Sequence, residues 1–129
     1  MDSIRIKGSR DNPTIICDAN EGLIEIKGVS IGEDPLVQIY NPIYNWLQEY
    51  QKNYQPETIV NIQLEYINTG STRSLLLIFK LLKTMQLENE DANIVINWYY
   101  KDNDEDMYET GENYEEMVKL PFNYIEMKS

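Results

Sequence analysis

The chain predicts a single-domain α/β sandwich built on a mixed β-sheet. Short runs with period-2 alternation recur along it, such as Ile4 and Ile6 or Ile94, Ile96 and Trp98, and these read as strands. Longer segments with helical spacing separate the later runs. At 129 residues and 42% hydrophobic content, the chain supports one core, so the predicted domain covers residues 1–129.

Ser3 to Gly8 sets Ile4 and Ile6 against Arg5 and Lys7, a half-buried strand. Thr14 to Asp18 is a second strand. Ala19-Asn20-Glu21-Gly22 turns the chain, and Leu23, Ile24 and Ile26 start the returning strand of a hairpin. Gly28 to Asp34 reads as a connecting loop. A helix is expected within Pro35–Tyr54. Either Asn41 caps it with Pro42 at the first position, or it starts near Asp34 and bends at Pro42. Ile43, Trp46, Leu47 and Tyr50 share one face, and Pro56 ends the element. Glu57 to Ile67 is a long strand whose β-branched residues suit a central place in a sheet. The next helix is expected from about Ser71 to Leu87, closed by the acidic turn Glu88-Asn89-Glu90-Asp91. Ala92 to Tyr100 is another strand. Asp102 to Glu116 carries eight carboxylates in fifteen residues. Met107, Tyr114, Met117 and Val118 give it a weak helical face, with Gly111 as a flaw. Pro121 stops it, and Phe122 to Met127 forms a last short strand.

The net charge of −11 argues against nucleic acid or an anionic membrane as partner and favours a basic protein surface. No apolar run reaches the roughly 20 residues of a membrane span, and Met1-Asp2-Ser3-Ile4-Arg5 lacks a secretory signal's apolar stretch. The single cysteine, Cys17, reads as a small core residue. A chain without disulfides suits the cytoplasm. There is no histidine, so neither a Ser-His-Asp nor a Cys-His mechanism is available within the chain. No cofactor or catalytic residue is expected. Ten tyrosines and two tryptophans in so acidic a chain suggest aromatic contact surface. Trp46 and Trp98 are expected in the core.

Asp102, Asp104 and Asp106 have the 1-3-5 spacing that opens an EF-hand loop. Met107 then falls where that loop needs glycine and Asn113 where it needs glutamate. A solvated acidic face is the better reading, and no metal site is expected. Glu109 and Glu112 are a weak candidate pair for acid/base work, with nothing nearby to shift a pKa.

The informative stretch is Tyr66-Ile67-Asn68-Thr69-Gly70-Ser71-Thr72-Arg73. It stands between an alternating run (Ile59, Ile62, Leu64, Tyr66) and a dense one (Leu75, Leu76, Leu77, Ile78, Phe79). Three hydroxyls therefore lie where a strand hands over to a helix N-terminus. Free amides and the positive dipole end favour an anion there. The plainer role is capping and turn formation, and the residue types alone favour that role.

On these residues the chain resembles the SiaC-like family of bacterial regulatory phosphoproteins, small proteins similar to anti-sigma-factor antagonists of the STAS fold. Asn68, Thr69, Ser71, Thr72 and Arg73 match the family pattern, and Gly70 replaces a serine. Trp46-Leu47-Gln48-Glu49-Tyr50, Ile96-Asn97-Trp98-Tyr99-Tyr100 and Leu120-Pro121-Phe122 match more loosely. The resemblance implies a STAS-like sandwich with helices packed mainly on one face of the sheet. It implies Thr69 as phosphoacceptor, with Ser71 and Thr72 as alternatives. Its implied partners are a Ser/Thr protein kinase, a metal-dependent Ser/Thr phosphatase and a client, a diguanylate cyclase, in cyclic di-GMP and biofilm signalling. Asn68, Gly70, Arg73, Leu76, Leu77 and Lys80 are the expected partner-binding residues. The competing reading is a STAS-like module that binds a nucleotide or another small anion at the same loop. A metal-dependent enzyme on Asp102, Asp104 and Asp106 is the third.

Overall fold

Alternation along each strand turns one set of side chains toward the helices and the other toward solvent. The computed structural model describes residues 1–129. Six strands pair in sequence order: β1 (Ile4–Ile6), β2 (Thr14–Asp18), β3 (Leu23–Ser30), β4 (Glu57–Ile67), β5 (Asn93–Lys101) and β6 (Phe122–Met127). The first three are antiparallel and β3 to β6 run parallel, so the sheet is mixed as expected. Three α-helices supply the crossovers that parallel neighbours require: α1 (Asn41–Tyr50), α2 (Thr69–Glu88) and α3 (Glu105–Val118).

One row of register partners crosses all six strands on the inner face: Ile4, Cys17, Ile24, Val60, Ile96 and Phe122. Most of that row is buried and joins the helices in one core. The adjacent row, Arg5, Ile16, Glu25, Asn61, Asn97 and Asn123, faces outward. None of its members is buried. Asn123 Nδ2 donates to Asn97 Oδ1 at 3.2 Å, and Asn97 Nδ2 to Asn61 Oδ1 at 2.9 Å. The helices therefore pack on one face, as the family resemblance implied, and an amide ladder lies on the other.

Several expectations need correction. The segment from Gly28 to Asp34 is not all loop, because β3 continues to Ser30. Gly28 has φ of 126° and stands at a register shift before Val29, a bulge that a side chain would strain. Of the two readings at Pro42 the structure takes the second: helical backbone begins ahead of the proline, at Leu36, and Asn41 is not the cap. Leu36–Tyr40 forms a π turn that runs into α1, with the Asn41 amide donating to Leu36 O. Proline offers no amide to Gln38 O and its ring crowds that carbonyl, so a wider turn ahead of Pro42 relieves both. On α1, Ile43, Trp46, Leu47 and Tyr50 are buried as their spacing predicts. The segment that looked only weakly helical is the full helix α3, with Gly111 buried in it. A Cβ at Gly111 would stand 2.6 Å from Trp98 Cδ1. Its glycine is a close-packing requirement, not a defect. Trp98 Nε1 donates to Met107 O at 2.9 Å, which completes the joint. Both tryptophans and Cys17 are buried.

Candidate functional site

At the end of β4 the backbone is held from several sides at Asn68. The Asn68 amide donates to Ser30 O at 3.0 Å, and Asn68 Nδ2 to Gly32 O at 3.2 Å. Its Oδ1 accepts from the Ser71 amide at 2.8 Å, so Asn68 is the N-cap of α2. The helix thus starts at Thr69, two residues earlier than the expected Ser71. Asparagine, and none of the three hydroxyls, takes the capping role.

The three hydroxyls then separate. Thr69 is exposed at the first helical position. Ser71 is fully buried, its Oγ accepting from Ser30 Oγ at 2.8 Å, while Ser30 Oγ and Tyr40 Oη are 2.9 Å apart. Burial pushes the Tyr40 phenol up to about 12, an effect that the hydroxyls of Ser30 and Ser71 partly offset. This closed cluster ties β3, the π turn and α2 together. It also encloses the Ser71 hydroxyl, unlike that of Thr69. Thr72 is half-buried and its Oγ1 donates back to Asn68 O at 2.9 Å. Tyr114 Oη donates to Thr72 O at 2.8 Å, which fastens α3 to the same helix end. The amides of Thr69 and Gly70 precede the first intrahelical bond and point away from the helix.

Gly70, Arg73 and Leu77 line a shallow groove between α2 and the π turn, whose Leu36 and Val37 form the other wall. A Cβ at Gly70 would come within 3.1 Å of Pro35 Cγ, so glycine lets the two walls approach closely. Lys80 is exposed one turn further along the same helix face. Leu76 does not join this group; it is half-buried and packs on the core. Leu36 and Val37 were missed as site residues. Their signal was an apolar excess ahead of Pro42, where only Ile39 and Tyr40 of the π turn are buried.

The acidic stretch has structural employment. Asp104 Oδ1 accepts from the Met107 amide at 3.0 Å as the N-cap of α3, and Asp102 Oδ1 accepts from the Ser129 amide at 3.1 Å. Glu105 and Asp106 occupy the first turn of that helix, where its dipole favours negative charge.

Fold and site together define a small mixed α/β protein with an exposed threonine on a helix N-terminus, beside an apolar groove. A family model described as SiaC family regulatory phosphoprotein matches residues 6–127, and the chain belongs to that family. An uncharacterized protein of Pseudomonas aeruginosa (strain UCBPP-PA14) is 23% identical over 122 residues, which are 95% of this chain and 94% of that one. The crystal structure of apo-SiaC from Pseudomonas aeruginosa superposes with a TM-score of 0.85 at 22% identity, over 97% of this chain and 99% of that chain. SiaC from the same organism, in complex with the diguanylate cyclase SiaD that it activates, gives 0.87 at 22% identity over 96% and 99%. These structures share the six-stranded mixed sheet with its three helices.

Proposed function

We propose that this chain is a non-enzymatic phospho-switch whose acceptor is Thr69. A Ser/Thr protein kinase phosphorylates it and a metal-dependent Ser/Thr phosphatase restores the hydroxyl. The unmodified form binds and regulates a diguanylate cyclase in the cytoplasm, which couples the switch to cyclic di-GMP and biofilm behaviour. The observation that carries the reading is the exposure of Thr69 at the first position of α2, in a member of a regulatory phosphoprotein family. The relative that activates a diguanylate cyclase supports the choice of client.

The physics of the site agrees with a surface switch. A phosphate adds roughly −1.5 to −2 charges at neutral pH. At Thr69 it meets the free amides and positive dipole of α2, so the modified chain stays folded. The small-ligand alternative gains nothing from the buried hydroxyls, because Ser30, Tyr40 and Ser71 satisfy one another.

The test is phosphorylation by the cognate kinase followed by peptide mass spectrometry and pull-down with the purified cyclase. One phosphate on Thr69, absent from Thr69→Ala, and weaker capture of the modified chain are expected. Equal capture of both forms overturns the switch. Phosphate on Thr72 alone moves the acceptor by three residues and overturns the assignment of Thr69.

A further inference from the structure

Charge on this molecule is unevenly spread. The chain carries −11 overall, yet α2 holds Arg73, Lys80 and Lys83 against one carboxylate, Glu88, at its last position. The ion pairs of the structure use Arg10, Lys52 and Lys101. Lys83 donates to Lys119 O. Arg73 and Lys80 are exposed with no carboxylate in ion-pair range. Between Arg73 and the π turn runs a groove of about 340 Å³, whose walls include Val37, 67% exposed, and Leu77, 43% exposed; Lys80 lies outside it, two turns beyond Arg73 on α2. Asp34 is the single carboxylate that lines it.

Resting on the phospho-switch reading, we propose that this groove receives an acidic helix of the partner. Its apolar stripe covers Leu36, Val37 and Leu77, and its carboxylates meet Arg73 and Lys80. We propose also that a phosphate on Thr69 acts by taking Arg73 for itself. Two helical walls that carry Leu36, Val37 and Leu77 suit a helix laid in a groove. The unpaired cations choose an acidic one, against the basic partner that net charge alone suggested. Thr69 and Arg73 stand at i and i+4, neighbours on the helix surface about 5–6 Å apart at Cβ. A phosphothreonine dianion there pairs with the guanidinium and turns the entry of the groove from cationic to anionic. A second copy of this chain is a poor occupant. Its one strongly acidic helix, α3, already spends Met107, Tyr114 and Val118 on its own core and leaves Met117 alone as an exposed apolar residue, too little for an apolar stripe.

Two measurements judge this. The first is calorimetric titration of purified diguanylate cyclase with wild type, Arg73→Gln, Lys80→Gln and Leu77→Ser. Each variant should bind roughly tenfold more weakly or worse, as for charges and apolar anchors at an interface. A variant that combines Arg73→Gln with Lys80→Gln should lose the salt dependence that wild type shows. Variants that bind like wild type, with the same salt dependence, overturn the groove while leaving the switch intact. Self-association of the chain that Leu77→Ser abolishes overturns it as well, since a second copy would then be the occupant. Wild type that ignores the cyclase sinks the client assignment instead, and the phosphate step is then judged alone. That second measurement is a phosphorus NMR titration of the Thr69-phosphorylated chain. The phosphate midpoint, ordinarily about 6, should lie lower in wild type than in Arg73→Gln; equal midpoints overturn the pairing.

Discussion

Asn68 and Thr69 are adjacent, yet their side chains do different work. Asn68 is the cap and reaches both Ser71 and Gly32. Thr69 occupies the next position with its side chain in solvent. Asn68→Ala should therefore cost about 1 kcal/mol of stability, the usual loss for a removed cap. Thr69→Ala should stay within about 0.5 kcal/mol of wild type, as exposed substitutions away from such features do. Urea denaturation of both variants checks the contrast, and a larger loss for Thr69→Ala than for Asn68→Ala would reverse the assignment of the cap. The change from period 2 to helical spacing made this junction legible in the sequence. The sequence could not say which polar residue would cap. Asparagine, threonine and serine all serve, and the choice falls to the side chain that the Gly32 carbonyl engages. For the same reason the inward turn of Ser71 was invisible. It depends on Ser30 and Tyr40, which are distant in the chain and meet only through the sheet.

A clear apolar period was readable over the whole of β4 and along the buried face of α1, though not at the start of that helix. The elements that escaped are those whose period is diluted. The π turn has no ordinary repeat and exists because Pro42 follows it. For α3, the acidic residues and Gly111 masked a face that needs only Met107, Tyr114 and Val118 to bury. At Gly111 two effects oppose each other. Gly111→Ala gains roughly 1 kcal/mol of helix propensity. It also drives a methyl to 2.6 Å from Trp98, and overpacking of this kind costs about 1–3 kcal/mol. Trp98 is fully buried and bonded to Met107 O, so it has little room to yield. The clash should win, and the variant should unfold at lower urea than wild type with reduced near-UV signal from Trp98. A higher midpoint would show that the helix simply shifts outward.

Across the molecule, the inner face of the sheet gathers the buried apolar side chains, while the open face carries the amide ladder beside the half-buried row Leu23, Ile59 and Val95, so one core must hold six strands. Ionisable groups within that core set the alkaline limit of stability: Cys17 and Tyr40, together with Tyr114, whose phenol burial also raises. Burial raises the Cys17 thiol from its ordinary 9.0 to about 12, and burial raises the Tyr40 phenol from 10.0 to about 12. All three are neutral in the folded chain and ionise first in the unfolded one. Their stabilising contribution is therefore complete below about pH 9 and is withdrawn as pH climbs toward about 12. With no histidine in the chain, no imidazole titrates between about pH 5 and 8. The urea midpoint should hardly move from about pH 6 to 8 and should fall above about pH 9. Cys17→Ala isolates the first component. The small cavity lowers stability at every pH, but the decline should now begin nearer pH 10, where the tyrosines of the unfolded chain start to ionise. A decline with unchanged onset in Cys17→Ala would remove the thiol from the account and leave the phenols as its cause.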